Sequence, residues 1–205
     1  MQMNRERGSA VIEFALVSVF LLPIMYGVYS IGMSLSRTIE ASVVARDAGA
    51  MFMRAVDFSQ AQNAALIVRI GQNLGLQATG GNGVVVLSRV YQVASSDCLA
   101  AGYSATGCPN YNQVVFTERI SIGNTTSGFF TSSFGAPPAN VVRADGTITL
   151  ANFASNAACK VANPTSLPTL SAGEFAFVSE AYFITPSLDL PGWRSNTNLY
   201  QRNIF

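Results

Sequence analysis

The sequence predicts an α+β fold in which a long apolar helix at the N-terminus leads through a second helical stretch into a β-patterned head. Three observations carry this. The 205 residues are 49% hydrophobic and only 11% charged, against roughly 25% charged in an average soluble domain. The apolar excess is concentrated in one segment, residues 9–36. Beyond Gly75 the apolar spacing changes from three and four residues to two, which is the change from helix to strand.

Between Ser9 and Ser36 the only side chain charged at neutral pH is Glu13, and charge returns at Arg37. About 28 residues at 1.5 Å each give roughly 42 Å of helix, more than the ~30 Å hydrocarbon core of a bilayer. Residues 9–36 therefore read as a transmembrane helix in contact with membrane lipid. Arg5 and Arg7 flank Glu6 in the short polar stretch before it, so the positive-inside rule predicts a cytoplasmic N-terminus with the rest of the chain across the membrane. Pro23 lies mid-span and cannot donate to the carbonyl of Val19, which predicts a kink there, softened further by Gly27 and Gly32. A carboxylate inside such a segment is costly and calls for a partner. That makes Glu13 the first candidate functional residue.

The run Arg7-Gly8-Ser9-Ala10-Val11-Ile12-Glu13-Phe14-Ala15-Leu16 resembles the processing site of type IV prepilins and pseudopilins. It is most similar to that of the TadE-like proteins of the tight-adherence (Tad) pilus system. The resemblance implies a leader of residues 1–8, cut between Gly8 and Ser9 by a prepilin peptidase at the cytoplasmic face. It also implies that Glu13 and Phe14 serve subunit assembly. Cleavage exposes a new α-amino group at Ser9, a group that ordinarily titrates at about 7.7 to 8.0, and a buried carboxylate of a neighbouring subunit can pair with it. The partners implied are the peptidase, other pilin or pseudopilin subunits and the Tad assembly machinery, at a bacterial inner membrane with the head in the periplasm. Ser9 departs from the Phe that opens most mature type IV pilins.

Residues 37–75 read as a helical stalk. Ile39, Val43, Ala48, Met51 and Phe52 fall mostly three and four apart, with Glu40, Arg46, Asp47 and Arg54 between them, predicting an amphipathic extension of the first helix. Asp57-Phe58-Ser59 interrupts it. Ser59 and Gln62 have capping-box spacing before the stripe Ala64, Ile67, Ile70 and Leu74, and Gly75 is placed as its C-cap. The run 45–50 also resembles the Ala/Arg/Gly-rich stretch that follows the span in TadE-like proteins.

Residues 83–205 read as the head. Strands are predicted at 84–93, 114–122, 147–153, 175–185 and 200–205, forming an antiparallel sheet of four or five strands packed on helices at one face. In the second, Val114, Phe116, Ile120 and Ile122 are expected to share the buried side with Glu118 as the charged exception. In the fourth, Phe175, Phe177, Ala181 and Phe183 share a side and Glu180 lies opposite, with solvent or an edge expected at Glu118, Glu174 and Glu180. Residues 174–183 and Arg202 resemble, loosely, the late strand and terminal region of the same family. Two polar connections, 124–145 and 152–172, are long, and Phe129, Phe130 and Phe134 in the first are expected to fold back over the sheet or to form a contact surface. A disulfide joining Cys98 and Cys108 is the economical pairing in an oxidising compartment, while Cys159 has either of them as an alternative.

Net charge is +1, there is no His, and Lys160 is the one lysine. These facts argue against nucleic acid as a partner and remove His-based acid/base chemistry and His-ligated metals. No Walker-A run, GxGxxG, Gly-x-Ser-x-Gly or HExxH is present. The expectation is a protein without enzymatic activity, cofactor, metal or small-molecule substrate. Two functions remain: a TadE-like minor pilin or pseudopilin supporting pilus assembly and adhesion, or an uncleaved, permanently anchored binding or adhesive module.

Overall fold

The computed structural model describes residues 5–185 and 198–205, and side chains from Ala10 onward. It contains one long helix, α1 (Arg5–Met53), then α2 (Ala61–Ile70), β1 (Gly83–Gln92), α3 (Ser95–Ala100), β2 (Val114–Gly123), α4 (Leu150–Ser155), β3 (Phe175–Ile184) and β4 (Asn198–Ile204). The four strands form one antiparallel sheet in the order β2-β1-β3-β4. An α+β chain with a long apolar N-terminal helix is what the change in apolar spacing predicts.

Helix α1 runs through Pro23 without a break in its assignment, although Pro removes the donor for the Val19 carbonyl. Its C-terminal part lies on the sheet through a face that includes the expected Ala48, Met51 and Phe52 but departs from expectation one to two turns earlier. Ala41, Val44, Ala45, Ala48 and Phe52 are buried, whereas Ile39 and Val43 remain 56% and 44% exposed. Small residues decide this: Ala41, Ala45, Ala48 and Gly49 let the helix backbone approach the sheet. A Cβ on Gly49 would lie 2.4 Å from Phe205 Cε2 and 3.0 Å from Ser179 Cβ. The Ala- and Gly-rich run noted in the sequence is therefore the seam between helix and sheet.

Ser59 does not cap α2. Gln60 occupies the N-cap position without a side-chain bond, and Asp57 Oδ1 instead accepts from the Ser59 backbone N–H and hydroxyl at 2.9 and 2.6 Å. Helix α2 ends at Gly71. A 3-10 turn, Gln72–Leu74, then closes on Gly75 in the left-handed region at φ 80°.

The expected strand at 147–153 is absent. Thr147 and Ile148 make isolated bridges to Glu118 and Val142, after which Thr149 caps α4, its side chain accepting from the Asn152 N–H. A hydroxyl at an N-cap outweighs the weak β-pattern. The expected buried face of β2 is also divided. Arg89 pairs with Glu118 and Val90 with Phe116, so Thr117 is an extra residue, a β-bulge. The bulge reverses the phase: Ile120 and Ile122 pack under α1 with Val85 and Leu87, while Phe116 and Val114 join Val90 and Val178 on the opposite face.

Both faces of the sheet are covered. One carries α1 and α2; the other is roofed by the long connections, which bury Phe134, Val141, Ile148, Cys159, Val161 and Leu167. Ser179 meets α1 at Ala45 and Phe177 meets it at Phe52, so β3 runs opposite to the helix and β1 runs with it. The β1-to-β2 connection consequently sits at the end of the head farthest from the apolar part of α1. There Cys98 and Cys108 form a disulfide, Cα atoms 5.2 Å apart, and Cys159 is a buried free thiol.

Candidate functional site

From Ala10 to Met53 the first helix is long and apolar enough to cross a membrane, and its most apolar 18-residue window is entirely unburied. Val11, Phe14, Phe20 and Val28 are 68%, 74%, 70% and 68% exposed. Among the described residues the head supplies nothing to cover them. In water such a surface would strongly favour association or a lipid environment.

Glu13 lies on this helix, exposed, and among the described residues it has no hydrogen-bond or ion-pair partner. Phe14 is its exposed neighbour. Gly8 and Ser9 fall within the range of α1, residues 1–4 of the expected leader lie outside the described residues, and no side chain of residues 5–9 is described. Position 13 is four residues beyond position 9, so the two are one turn apart on one side of the helix. The buried seam begins at Ala41, only a few residues after charge returns at Arg37. At 1.5 Å per residue, the apolar segment and the head are separated by roughly 6 to 8 Å of helix. A membrane around residues 10–36 would lie directly beneath the head.

On the roofed face of the sheet lies a polar cluster that the alternation in β3 does not reveal. Glu180, expected near solvent, is 1% exposed in a central strand. Its Oε1 accepts from the Tyr200 hydroxyl at 2.7 Å and its Oε2 from the Ser132 hydroxyl, and Ser132 Oγ in turn accepts from the Phe134 N–H. A buried carboxylate without such donors would be strongly unfavourable. The roof thus reaches the sheet through Ser132, and the Arg119 guanidinium donates to the Gly135 carbonyl at 3.0 Å. Burial lowers the Arg119 pKa, opposed by the negative field of Glu180. Tyr200 is pushed up to about 12, first by burial and also by its bond to Glu180. The signal in the sequence is the Phe-rich, Ser-rich run 129–134 together with a lone Glu in an apolar strand.

On the other face, Arg89 and Glu118 form an ion pair at 3.5 Å in a cleft of about 270 Å³ with Phe52, Val56, Asp57 and Phe177. Burial raises the Glu118 pKa, partly offset by Arg89. Thr117 fixes the bulge beside them, its Oγ1 accepting from Arg89 Nε and donating to the Arg89 carbonyl, both at 3.2 Å. Among the described residues no group of three or more His, Cys, Asp or Glu is arranged to hold a metal ion. No family model, curated protein or solved structure matches this chain.

Proposed function

We propose that this chain is a TadE-like minor pilin or pseudopilin, a non-enzymatic subunit that contributes to assembly of a Tad-type pilus or related secretion filament and to surface adhesion. The observation that carries the reading is the first helix: an unburied apolar half bearing one carboxylate, Glu13, without a partner among the described residues, joined without interruption to a half fixed under a four-stranded antiparallel sheet. That design suits a subunit whose helix moves from lipid into a helix-packed fibre, since both environments are apolar and only the second provides a counter-charge. Cleavage after Gly8 by a prepilin peptidase would create that counter-charge at the Ser9 amine. In this reading the N-terminus faces the cytoplasm, the head faces the periplasm, and residues 37–75 are the stalk.

The test is the N-terminal sequence of the chain recovered from membranes of cells with an active prepilin peptidase. The expected mature terminus is Ser9, and Gly8→Ala should retain the full-length chain. Intact Met1 in the unsubstituted protein would reject processing and leave the anchored adhesive module as the function.

A further inference from the structure

Phe129 and Phe130, at the start of the roof, are not absorbed by the core. Phe130 lies across the cross-strand pair Tyr182 and Tyr200, with ring centroids 5.3 and 5.9 Å away and interplanar angles of 26° and 30°. Phe129 meets Tyr182 edge to face at 5.6 Å and 82°. Together with Thr131 and Ser133 these rings line a cleft of about 290 Å³, near the lower end of the ~300 to 1,000 Å³ usual for ligand clefts. Thr131 and Ser133 are exposed, and Tyr200 is 40% exposed. The described lining holds four aromatic rings and four hydroxyl groups, with no charged side chain among the described residues.

Two charges lie close to it: the Glu180 carboxylate is sealed off, and the Arg202 guanidinium, two residues along β4 from Tyr200, is drawn over the Phe134 ring, 5.2 Å from its centroid. Glu180, beneath Tyr200, is 1% exposed and has both oxygens occupied, by Tyr200 and Ser132. Tyr200 donates its proton inward, so its oxygen is left to accept, and Ser133 Oγ stands 3.4 Å away. The hydroxyls are thereby ordered in one direction, from Ser133 through Tyr200 to Glu180.

We propose that this cleft binds a neutral saccharide unit. Flat aromatic faces pack against the apolar C–H faces of a sugar ring, and a rim of hydroxyls exchanges hydrogen bonds with its hydroxyl groups. Fixed charge in the lining would favour an ionic ligand, and among the described residues none lines the cleft. An acyl chain would leave the hydroxyl rim unsatisfied. The inference stands apart from filament assembly, since it involves neither Glu13 nor cleavage at Gly8.

The test uses the full chain in lipid nanodiscs, because glycoside detergents would compete. Cellohexaose, chitohexaose and maltohexaose serve as neutral probes and hexagalacturonate as the anionic one, titrated to millimolar concentration by NMR line broadening and calorimetry. At least one neutral probe should bind with little dependence on salt, and Phe130→Ala should weaken it about tenfold, the loss of a buried stacking contact. Thr131→Ala, at an exposed hydroxyl, should weaken it severalfold with an unchanged unfolding temperature, so the test survives if Phe130→Ala fails to fold. No binding by any neutral probe, equal binding by hexagalacturonate, or binding indifferent to both substitutions would overturn the proposal. A cleft that instead docks a protein would appear as the first of these results.

Discussion

The hydroxyl of Ser179, in the middle of β3, donates to the backbone carbonyl of Ala45 on α1 at 2.7 Å, both residues being fully buried. A strand side chain reaches a helix carbonyl only where the two backbones lie unusually close, and the Ala and Gly residues of α1 are what permit it. The same closeness makes the helix and the head one mechanical unit. A force or rotation applied to the apolar part of α1 is transmitted to the sheet through this seam.

Enlarging the seam should therefore separate the units. Ala48→Leu adds a bulky side chain where none fits and is expected to destabilise the head by about 1 to 3 kcal/mol. Ser179→Ala removes only the hydrogen bond, about 1 kcal/mol. Denaturant unfolding of the full chain in nanodiscs, followed by near-ultraviolet circular dichroism, gives both values. An Ala48→Leu chain as stable as the unsubstituted one would refute the close-approach account.

The sequence makes the elements legible and leaves their faces partly hidden. Four of the five expected strands are present, three of them in runs rich in β-branched and aromatic residues and the fourth, β4, as a more polar edge strand paired with β3, whereas 147–153 is stopped by the capping Thr149. The face of α1 agrees with expectation at Ala48 and Phe52 and departs from it earlier in the helix, because hydrophobicity favours Ile39 and Val43 while close packing selects Ala41, Val44 and Ala45. The bulge at Thr117 has no local composition signal; it is visible only in the pairing of β1 with β2. Glu180 is buried rather than near solvent because alternation identifies the two faces of a strand and says nothing about a roof contributed by residues 124–172. Glu13, by contrast, is evident as the one charge in a long apolar run, and among the described residues of a single chain nothing gives it a partner.

The disulfide closes the connection at the end of the head away from the span. Peptide mapping without reductant should recover Cys98 linked to Cys108, with Cys159 as a free thiol. Burial raises the Cys159 pKa, so a membrane-permeant alkylating reagent should label it only after unfolding. Cys108→Ser should destabilise the head by about 2 to 3 kcal/mol through the entropy of the short loop it frees. Faster amide exchange confined to residues 95–113 is the expected local signature. Recovery of Cys98 and Cys108 as free thiols from an oxidising compartment would contradict the pairing.

Tyr91 and Tyr200 make the head sensitive to alkali. Each is raised from 10.0 to about 12, by burial first and also by donation to Asp97 or Glu180. Because the folded chain holds these protons more tightly than the unfolded chain, their contribution is complete below pH 10 and declines as pH rises toward 12. Tyr200→Phe should flatten that decline. At neutral pH it should also cost about 1 to 3 kcal/mol, because Glu180 loses a donor it cannot replace when buried. Unfolding free energies measured from pH 7 to 11.5 in both chains test the sign; a steeper alkaline decline in Tyr200→Phe would show it to be wrong.

Glu13 tests the assembly reading most directly. In one chain it is an exposed carboxylate on an apolar helix with no partner among the described residues. A charge at the centre of a membrane helix costs on the order of 2.5 to 3.5 kcal/mol, and less near an end. Glu13→Ala and Glu13→Gln should accordingly leave membrane insertion intact or strengthen it. Cleavage between Gly8 and Ser9 should persist, since the resemblance assigns the cut to the Gly. Incorporation into filaments should fall, because the new Ser9 amine of a neighbouring subunit would lose the carboxylate that neutralises it on leaving water. Gln keeps the shape and some hydrogen-bonding capacity, so it should assemble better than Ala and worse than Glu if the charge itself matters. The measurement is a sheared surface fraction probed for this chain, with fibre counts and adhesion, in the unsubstituted protein and both variants. A chain that serves only as a tether predicts no change beyond slightly better membrane retention. Normal piliation and adhesion in Glu13→Ala would remove the pairing mechanism and favour the simple anchor.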